Sequence, residues 1–317
     1  MDIDDATANA AAASPLTPTI DQDGIVHTLR AMRSKESQYK TTDYLAAASS
    51  NSPEWVDEDC RSKMCEWCLQ IVDHCGDDFS RDTVAIAMNI LDRYLAVPSS
   101  IDAIRCRSTF QLTCVTAFYT AVKVHEPCAI SASTLSILSK NLYTVEQLES
   151  TERKMLQTIG WRVHPRTPRM FGHYMLDLVG LADRNLRDNV EQAMFMQMDH
   201  AMQEYSFIGT DASMIAMASL LNALAGCVSA EELFQMEQLL SYATQLPCQS
   251  AATTELQRRL CVVLVQQQQQ QQDATMSNAH VYNEQQQQQQ QANTKTTASS
   301  WSGSRSVEHS PTSTVRI

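Results

Sequence analysis

The chain has 317 residues and a formal net charge of −12, from 36 acidic and 24 basic side chains. This length accommodates two compact domains with tails. Domains that bind nucleic acid are usually basic, so the acidic balance argues against a direct DNA or RNA partner. No apolar run reaches membrane-spanning length, and the acidic start MDIDDATANA does not resemble a secretory signal. We therefore expect an intracellular protein, with no membrane partner and with free thiols at its ten cysteines.

The N-terminal region is predicted to contain two parts. Residues 1–24 are expected to be a disordered leader. Residues 25–45 are expected to form a short helix followed by an extended segment, because three apolar residues share one helical face: Ile25, Leu29 and Met32.

Two helices are predicted next. Ser52-Pro53-Glu54 has the residue types of a helix start, and Gly76 is placed to end that helix. Ser80 is predicted to cap a second helix that stops before Pro98.

The stretch from Asp102 to Glu126 is predicted to be one long central helix. It contains no Gly, its only neighbouring Pro is just past its end, and it has apolar or small residues around most of its second half. Such a helix is usually surrounded by other helices. A shorter helix around Ser133–Lys140 follows, and then a fifth that begins with a capping box at Thr144 and ends at Gly160.

A second series of five helices follows the first. Their predicted ranges are Thr167–Gly180, Asp183–Tyr205, Asp211–Ala225, Ser229 to just before Pro247, and Thr254 to about Val265. The third is rich in small and apolar residues and is expected to be buried. No strand-like alternation is visible, so we predict an all-α fold of two tandem five-helix bundles.

The predicted organisation is therefore a bundle over residues 25–162 and a second over 165–265. Residues 266–317 contain two runs of seven glutamines and Ser/Thr-rich sequence, which cannot bury enough apolar area to offset the entropy of ordering. We predict that this tail is disordered.

No constellation in the sequence is typical of catalysis. There is no Gly-rich phosphate loop, nucleophile elbow or metalloprotease motif, so we predict a non-enzymatic protein without a cofactor. One group has metal-ligand chemistry: Cys60, Cys65, Cys68, His74 and Cys75. A Cys-x-x-Cys beside further ligands is compatible with zinc, but the same cysteines lie on a regular helix and no second Cys-x-x-Cys exists. Burial as small apolar residues is the favoured interpretation.

Four charged residues lie on or beside apolar helix faces: Arg61, Asp92, Lys123 and Glu152. A charge near a core is costly unless it is paired. Each of these residues alone is explained by an ordinary solvated helix edge. Their distribution over four helices of one bundle favours specific pairing.

Residues 60–171 resemble a cyclin box. The segments that carry the resemblance, in order, are Cys60–Trp67, Ala87–Leu95, Phe110–Leu112 with Ala121–Glu126, Tyr143–Glu152, Ile159–Trp161 and Thr167–Phe171. The motif Ala-Met-Asn-x-Leu-Asp-Arg within the second segment is similar to that of D-type cyclins. The resemblance implies a regulatory subunit that binds and activates a cyclin-dependent Ser/Thr kinase at the start of the cell cycle, in the nucleus and cytoplasm.

The resemblance also implies roles for individual residues. Arg61 and Asp92 would form a buried pair that joins the first two helices. Lys123 and Glu152 would face outward and bind the kinase helix that carries its αC glutamate, whose pairing with the ATP-binding lysine is needed for phosphoryl transfer. A substrate-docking patch for Arg-x-Leu motifs would contain Met64, Trp67, Phe110 and Gln111.

The sequence departs from the family pattern in places and leaves two rivals open. Lys63 and Gln70 stand where substrate-docking cyclins have an apolar and an acidic residue.

Two alternative functions are a cyclin-fold transcription factor that contacts promoter DNA and a cyclin-fold scaffold without a kinase. The first requires a basic face, whereas the second is distinguished by co-purification.

Overall fold

The computed structural model describes residues 20–46 and 55–269. Within them all regular structure is helical, which confirms the all-α prediction. The predicted leader and tail lie outside these residues, apart from 20–24 and 266–269, which are helical. The α-helices of the described residues are α1 (Ile20–Glu36), α2 (Glu58–Cys75), α3 (Arg81–Leu95), α4 (Ile101–Arg105), α5 (Arg107–His125), α6 (Ala132–Leu138), α7 (Val145–Thr158), α8 (Pro168–Val179), α9 (Arg184–Gln203), α10 (Ala212–Leu224), α11 (Ala230–Thr244) and α12 (251–269).

The chain divides into two units, Met1–Leu264 and Val265–Ile317. The first unit contains two apolar cores. One is built from α2 to α7, with α3 and α7 packed on α5, and the other from α8 to α12, with α8 and α9 packed on α10. α5 is buried on most of its second half, and α10 is apolar and almost completely buried, as the sequence predicts for both.

Local capping signals place most helix ends where the sequence predicts them. Ser80 accepts a hydrogen bond from the Asp82 amide, and Thr144 and Ser229 each form a complete capping box. Gly76 and Gly180 follow helix ends with positive φ angles of 63° and 64°, a conformation that glycine adopts without strain.

The predicted start of α2 is wrong. The helix begins at Glu58, and its cap is Asp57, whose side chain accepts a 2.8 Å hydrogen bond from the Cys60 amide. Ser52-Pro53-Glu54 lies outside the described residues. The Val56 amide donates to the Ile104 carbonyl over 2.9 Å, which holds the chain before Asp57 in a tertiary contact instead of a helical turn.

The predicted single helix over 102–126 is also wrong, because the chain breaks at Cys106 into α4 and α5. Cys106 has extended backbone angles, φ −138° and ψ 114°. The same Val56 amide occupies the Ile104 carbonyl, which in a continuous helix would accept from the Ser108 amide. The break is therefore set by a contact with a distant segment.

α1 begins at Ile20, five residues before the predicted start, and it packs against the second core. Val26, Leu29 and Met32 are buried there, against α8 and α11. Arg30 donates to the Tyr242 carbonyl over 2.9 Å. By packing, α1 belongs with the second bundle, although the sequence-based division over 25–162 groups it with the first. Sequence proximity does not decide which core an amphipathic helix covers.

Candidate functional site

Arg61 and Asp92 form a buried ion pair between α2 and α3. The guanidinium is bidentate, with Nε to Oδ1 at 2.9 Å and Nη2 to Oδ2 at 2.7 Å. Both side chains are almost completely buried. Burial opposes the charge on Arg61, but attraction to Asp92 outweighs it and raises the pKa of the guanidinium.

This pair also connects the first bundle to other parts of the unit. Arg61 Nη1 donates to the Met202 carbonyl on α9 over 2.9 Å. The Tyr44 hydroxyl donates to Asp92 over 2.9 Å, and burial, with Asp92 alongside, raises the pKa of that phenol well above its ordinary value. Tyr205 accepts from the Tyr44 amide and donates to Asp43. Sequence reasoning missed Tyr205, because no local pattern marks a side chain that bonds to a segment 160 positions away.

Lys123 and Glu152 are also paired with each other, between α5 and α7. Lys123 Nζ lies 3.1 Å from Oε2 and 3.3 Å from Oε1 of Glu152. Thr120 donates to the same carboxylate over 3.3 Å. Lys123 also lies over the Tyr119 ring, 5.4 Å from its centroid.

The two members of this pair differ in exposure. Glu152 is only 8 % exposed, because it shares a helix face with Leu148 and Met155, which are both fully buried. Half of the Lys123 side chain is exposed. The expectation that both residues face outward is therefore wrong for Glu152. The arrangement presents one ammonium group at the surface and holds it there through a buried carboxylate.

An exposed apolar surface lies on α6, which packs against both α5 and α7. We call Ile137 and Leu138 of α6, together with Leu142 shortly after its end, the α6 surface; Ile137 is 67 % exposed. Between Leu138 and Leu142, the residues Lys140 and Asn141 have positive φ angles. Large exposed apolar groups on adjacent positions are typical of protein-binding surfaces. Sequence reasoning missed this surface, although adjacent apolar residues on a short helix cannot all face one core.

The four residues assigned to a docking patch are not equivalent in the structure. Met64 and Trp67 are half-buried on α2, where the Trp67 ring makes an edge contact with Phe118 at 6.1 Å between centroids. Gln111 is half-buried on α5. Phe110, however, is 2 % exposed and lies in the first core. Phe110 therefore does not offer a face to a peptide.

The cysteine group does not form a metal site within residues 20–46 and 55–269, where no three His, Cys, Asp or Glu side chains are placed to hold an ion. Cys65 and Cys68 are fully buried in the first core. None of the described helices combines the length and apolar character needed to cross a membrane.

Comparison with known proteins finds a family model whose range includes α2 to α7 and part of α1. Residues 27–164 match the cyclin N-terminal domain. This range contains both ion pairs and the α6 surface.

Similar proteins include cyclins of more than one class. The chain is 29 % identical over 192 residues to the G2/mitotic-specific cyclin-1 of Antirrhinum majus, covering 60 % of this chain and 37 % of that protein. It is 26 % identical over 173 residues to the G1/S-specific cyclin-D1 of Mus musculus, covering 54 % of this chain and 52 % of that protein. The matched region thus spans about a third to a half of the length of these relatives.

Among solved structures, a viral cyclin from herpesvirus saimiri has the same fold. The TM-score is 0.57 at 14 % sequence identity, over 75 % of this chain and 97 % of the viral protein. This likeness extends across both bundles, so the tandem architecture is a pair of cyclin folds.

Proposed function

We propose that this chain, whose residues 27–164 form a cyclin N-terminal domain, is the non-catalytic regulatory subunit of a cyclin-dependent Ser/Thr protein kinase. It binds the kinase as a heterodimer and activates it, in the nucleus and cytoplasm. The D-like motif in Ala87–Leu95 supports action at the start of the cell cycle. Relatives of both the G1/S and the mitotic classes match this chain, so the proposed phase rests on that motif.

The observation that carries the proposal is the half-exposed ammonium of Lys123, held in place by the buried carboxylate of Glu152. The pair with Glu152 holds Lys123 in one position, so less side-chain entropy is lost when a partner hydrogen-bonds to it. The exposed apolar groups of the α6 surface are available for burial against a partner protein.

Activation follows from rigidity. A kinase αC helix that docks on a preformed surface is held in one orientation, and its glutamate is then held within reach of the ATP-binding lysine. The cyclin-side surface needs no moving part, since α5 and α7 are packed together through the first core.

The test is capture of kinases from dividing cells with the full chain, followed by an assay on a histone or retinoblastoma-type substrate. Glu152→Ala should abolish capture and kinase activity, because Lys123 then loses its anchor. Glu149→Ala is the matched control, since Glu149 is an exposed carboxylate on the same helix. Equal capture by both variants would contradict the assigned interface, and no kinase captured by the native chain would favour a kinase-free scaffold.

A further inference from the structure

A cavity of about 140 Å³ lies where the two bundles meet, and we call it the junction cavity. The first bundle contributes Met88 and Asn89 of α3 to its wall, and the second contributes Met198 of α9 and Ile215 of α10. Thr41, in the segment that follows α1, completes this part of the lining. Anything bound in the junction cavity therefore contacts both bundles at once.

The junction cavity has the volume of a single-ring molecule. A water site needs only about 10–15 Å³ and two to four polar partners, whereas an apolar cavity of about 150 Å³ binds benzene. Apolar groups make up the larger part of the wall, and three of the lining side chains are methionines: Met88, Met198 and Met202. Methionine adapts its shape to a ligand, and its sulfur makes favourable contacts with the edges of aromatic rings.

Two buried oxygen atoms on lining residues have no hydrogen-bond partner within residues 20–46 and 55–269: Thr41 Oγ1 and Asn89 Oδ1. Asn89 Nδ2 donates to the Tyr39 carbonyl over 3.0 Å, which fixes the orientation of the amide and leaves Oδ1 as a free acceptor. Thr41 is only 8 % exposed and follows Tyr39 by two residues, so the two oxygens belong to the same part of the wall. Buried polar atoms are rarely left without a partner.

A close approach of two segments positions Thr41. Gly209 lines the junction cavity with a φ angle of 75°, and a Cβ atom at this position would lie 3.0 Å from the Thr41 carbonyl oxygen. A side chain here would displace the Thr41 backbone, and the positive φ angle would add strain. Glycine at position 209 therefore allows the segment after α9 to support Thr41 directly.

The charges around the junction cavity are balanced. The ion pairs are Arg61 with Asp92, Lys40 with Asp211 and Glu36 with Arg33, and the two other charged lining residues are Arg166 and Glu204. A charged ligand would lose its hydration and would find no excess of the opposite charge. This lining therefore favours a neutral ligand.

We infer that the junction cavity binds a small, neutral, planar ring compound that carries an amide group. The amide N–H donates to Asn89 Oδ1, the amide carbonyl accepts from the Thr41 hydroxyl, and the ring lies between the methionines. Because such a ligand contacts both bundles only in the folded chain, it stabilises the native state. Neither Lys123, Glu152 nor the α6 surface lines this cavity, so the site is separate from the proposed kinase interface.

The experiment measures binding of benzamide and toluene to the full chain by saturation-transfer NMR. Benzamide should bind more tightly than toluene, because only benzamide can bond to the two oxygens. Thr41→Val removes the hydroxyl at nearly constant shape, and it should weaken benzamide binding about fivefold while leaving toluene binding and the melting temperature unchanged. The matched control is Thr254→Val on the exposed face of α12, which should bind both probes as the native chain does.

Two outcomes of this first comparison would overturn the inference. If benzamide does not bind, the junction cavity holds water only. If Thr41→Val binds benzamide as tightly as the native chain, the amide is not recognised through Thr41.

A second variant tests the location of the probes. Ala85 of α3 lines the junction cavity, so Ala85→Met should fill the space and abolish binding of both probes. Ala31→Met, on the exposed face of α1, is the matched control and should change neither. Native binding by an Ala85→Met variant with a native melting temperature would place the probes elsewhere and refute the assigned site. If Ala85→Met fails to fold, the comparison of Thr41→Val with Thr254→Val decides the question alone.

Discussion

The first bundle contains two ion pairs whose carboxylates are both buried, whereas only one of the two cations is buried. Arg61 lies inside the fold, with its three nitrogens bonded to Asp92 and to a carbonyl of α9. Lys123 approaches Glu152 from the surface, and half of its side chain remains exposed. The chemistry of the two pairs is therefore similar, but their surroundings are different.

The difference separates two uses of charge in one small domain. A pair with both members buried leaves no hydrogen-bonding capacity for a partner, and it connects α2, α3 and α9. A pair with a buried carboxylate and an exposed ammonium leaves N–H donors free for a partner. The carboxylate also fixes the position of the ammonium. The first arrangement is typical of a structural joint and the second of a binding site.

The largest effect is expected for Arg61→Ala. The substitution leaves Asp92 buried without its cation, which should lower the free energy of unfolding by about 3–5 kcal/mol. Urea unfolding of the isolated chain measures this. The control is the double variant Arg61→Met with Asp92→Leu, which removes both charges and should recover much of the loss. A loss below about 1 kcal/mol in Arg61→Ala would show that water reaches Asp92.

A smaller and unequal effect is expected for the second pair. Lys123→Ala leaves the buried Glu152 with only the Thr120 hydroxyl, and should lower the free energy of unfolding by about 1–3 kcal/mol. Glu152→Ala leaves an ammonium that already contacts water, so the free energy of unfolding should fall by less than about 1 kcal/mol. Urea unfolding of both variants provides the comparison. If Glu152→Ala proves the more destabilising, the carboxylate supports the core and the surface assignment loses its basis.

The smallest effect is expected for an ion pair with both members exposed. Lys63 lies 2.5 Å from Asp59 on the first turns of α2, and both side chains are more than half exposed. Lys63→Ala should leave the melting temperature unchanged, because such a pair gains little over hydration. Differential scanning calorimetry checks this, with Lys35→Ala as an unpaired exposed control. A clear fall in the melting temperature of the Lys63 variant alone would mean that exposure is a poor guide to how much an ion pair contributes to stability.

Much of the fold follows from short-range sequence signals. The capping boxes at Thr144 and Ser229 and the amide of Gly180 satisfy backbone groups within a few residues, and Gly76 adopts the positive φ angle at the end of α2. Their effect does not depend on the rest of the chain, so they are visible in the sequence. The burial of α5 and α10 was predictable for a related reason, since small and apolar residues around a helix have one stable environment.

The candidate site was only partly predictable. Arg61, Asp92, Lys123 and Glu152 were identified because each carries charge beside an apolar face, and their roles came from the resemblance to a family. The additional hydrogen bonds of the Arg61–Asp92 pair to Tyr44 and Met202, and the burial of Glu152, were not predictable, since these depend on which helices meet. The outward direction expected for Glu152 failed for that reason.

By itself, the sequence determined the helical content, most helix ends, the tandem arrangement and the charged positions of interest. Only the tertiary structure decided the break at Cys106, the packing of α1 on the second core and the exposure of Lys123 against the burial of Glu152. The physical reason is the range of the interactions. Caps and helical periodicity act over three or four residues, whereas the Val56 contact to Ile104, the docking of α1 on α8 and α11, and the depth of each carboxylate depend on segments that only folding brings together.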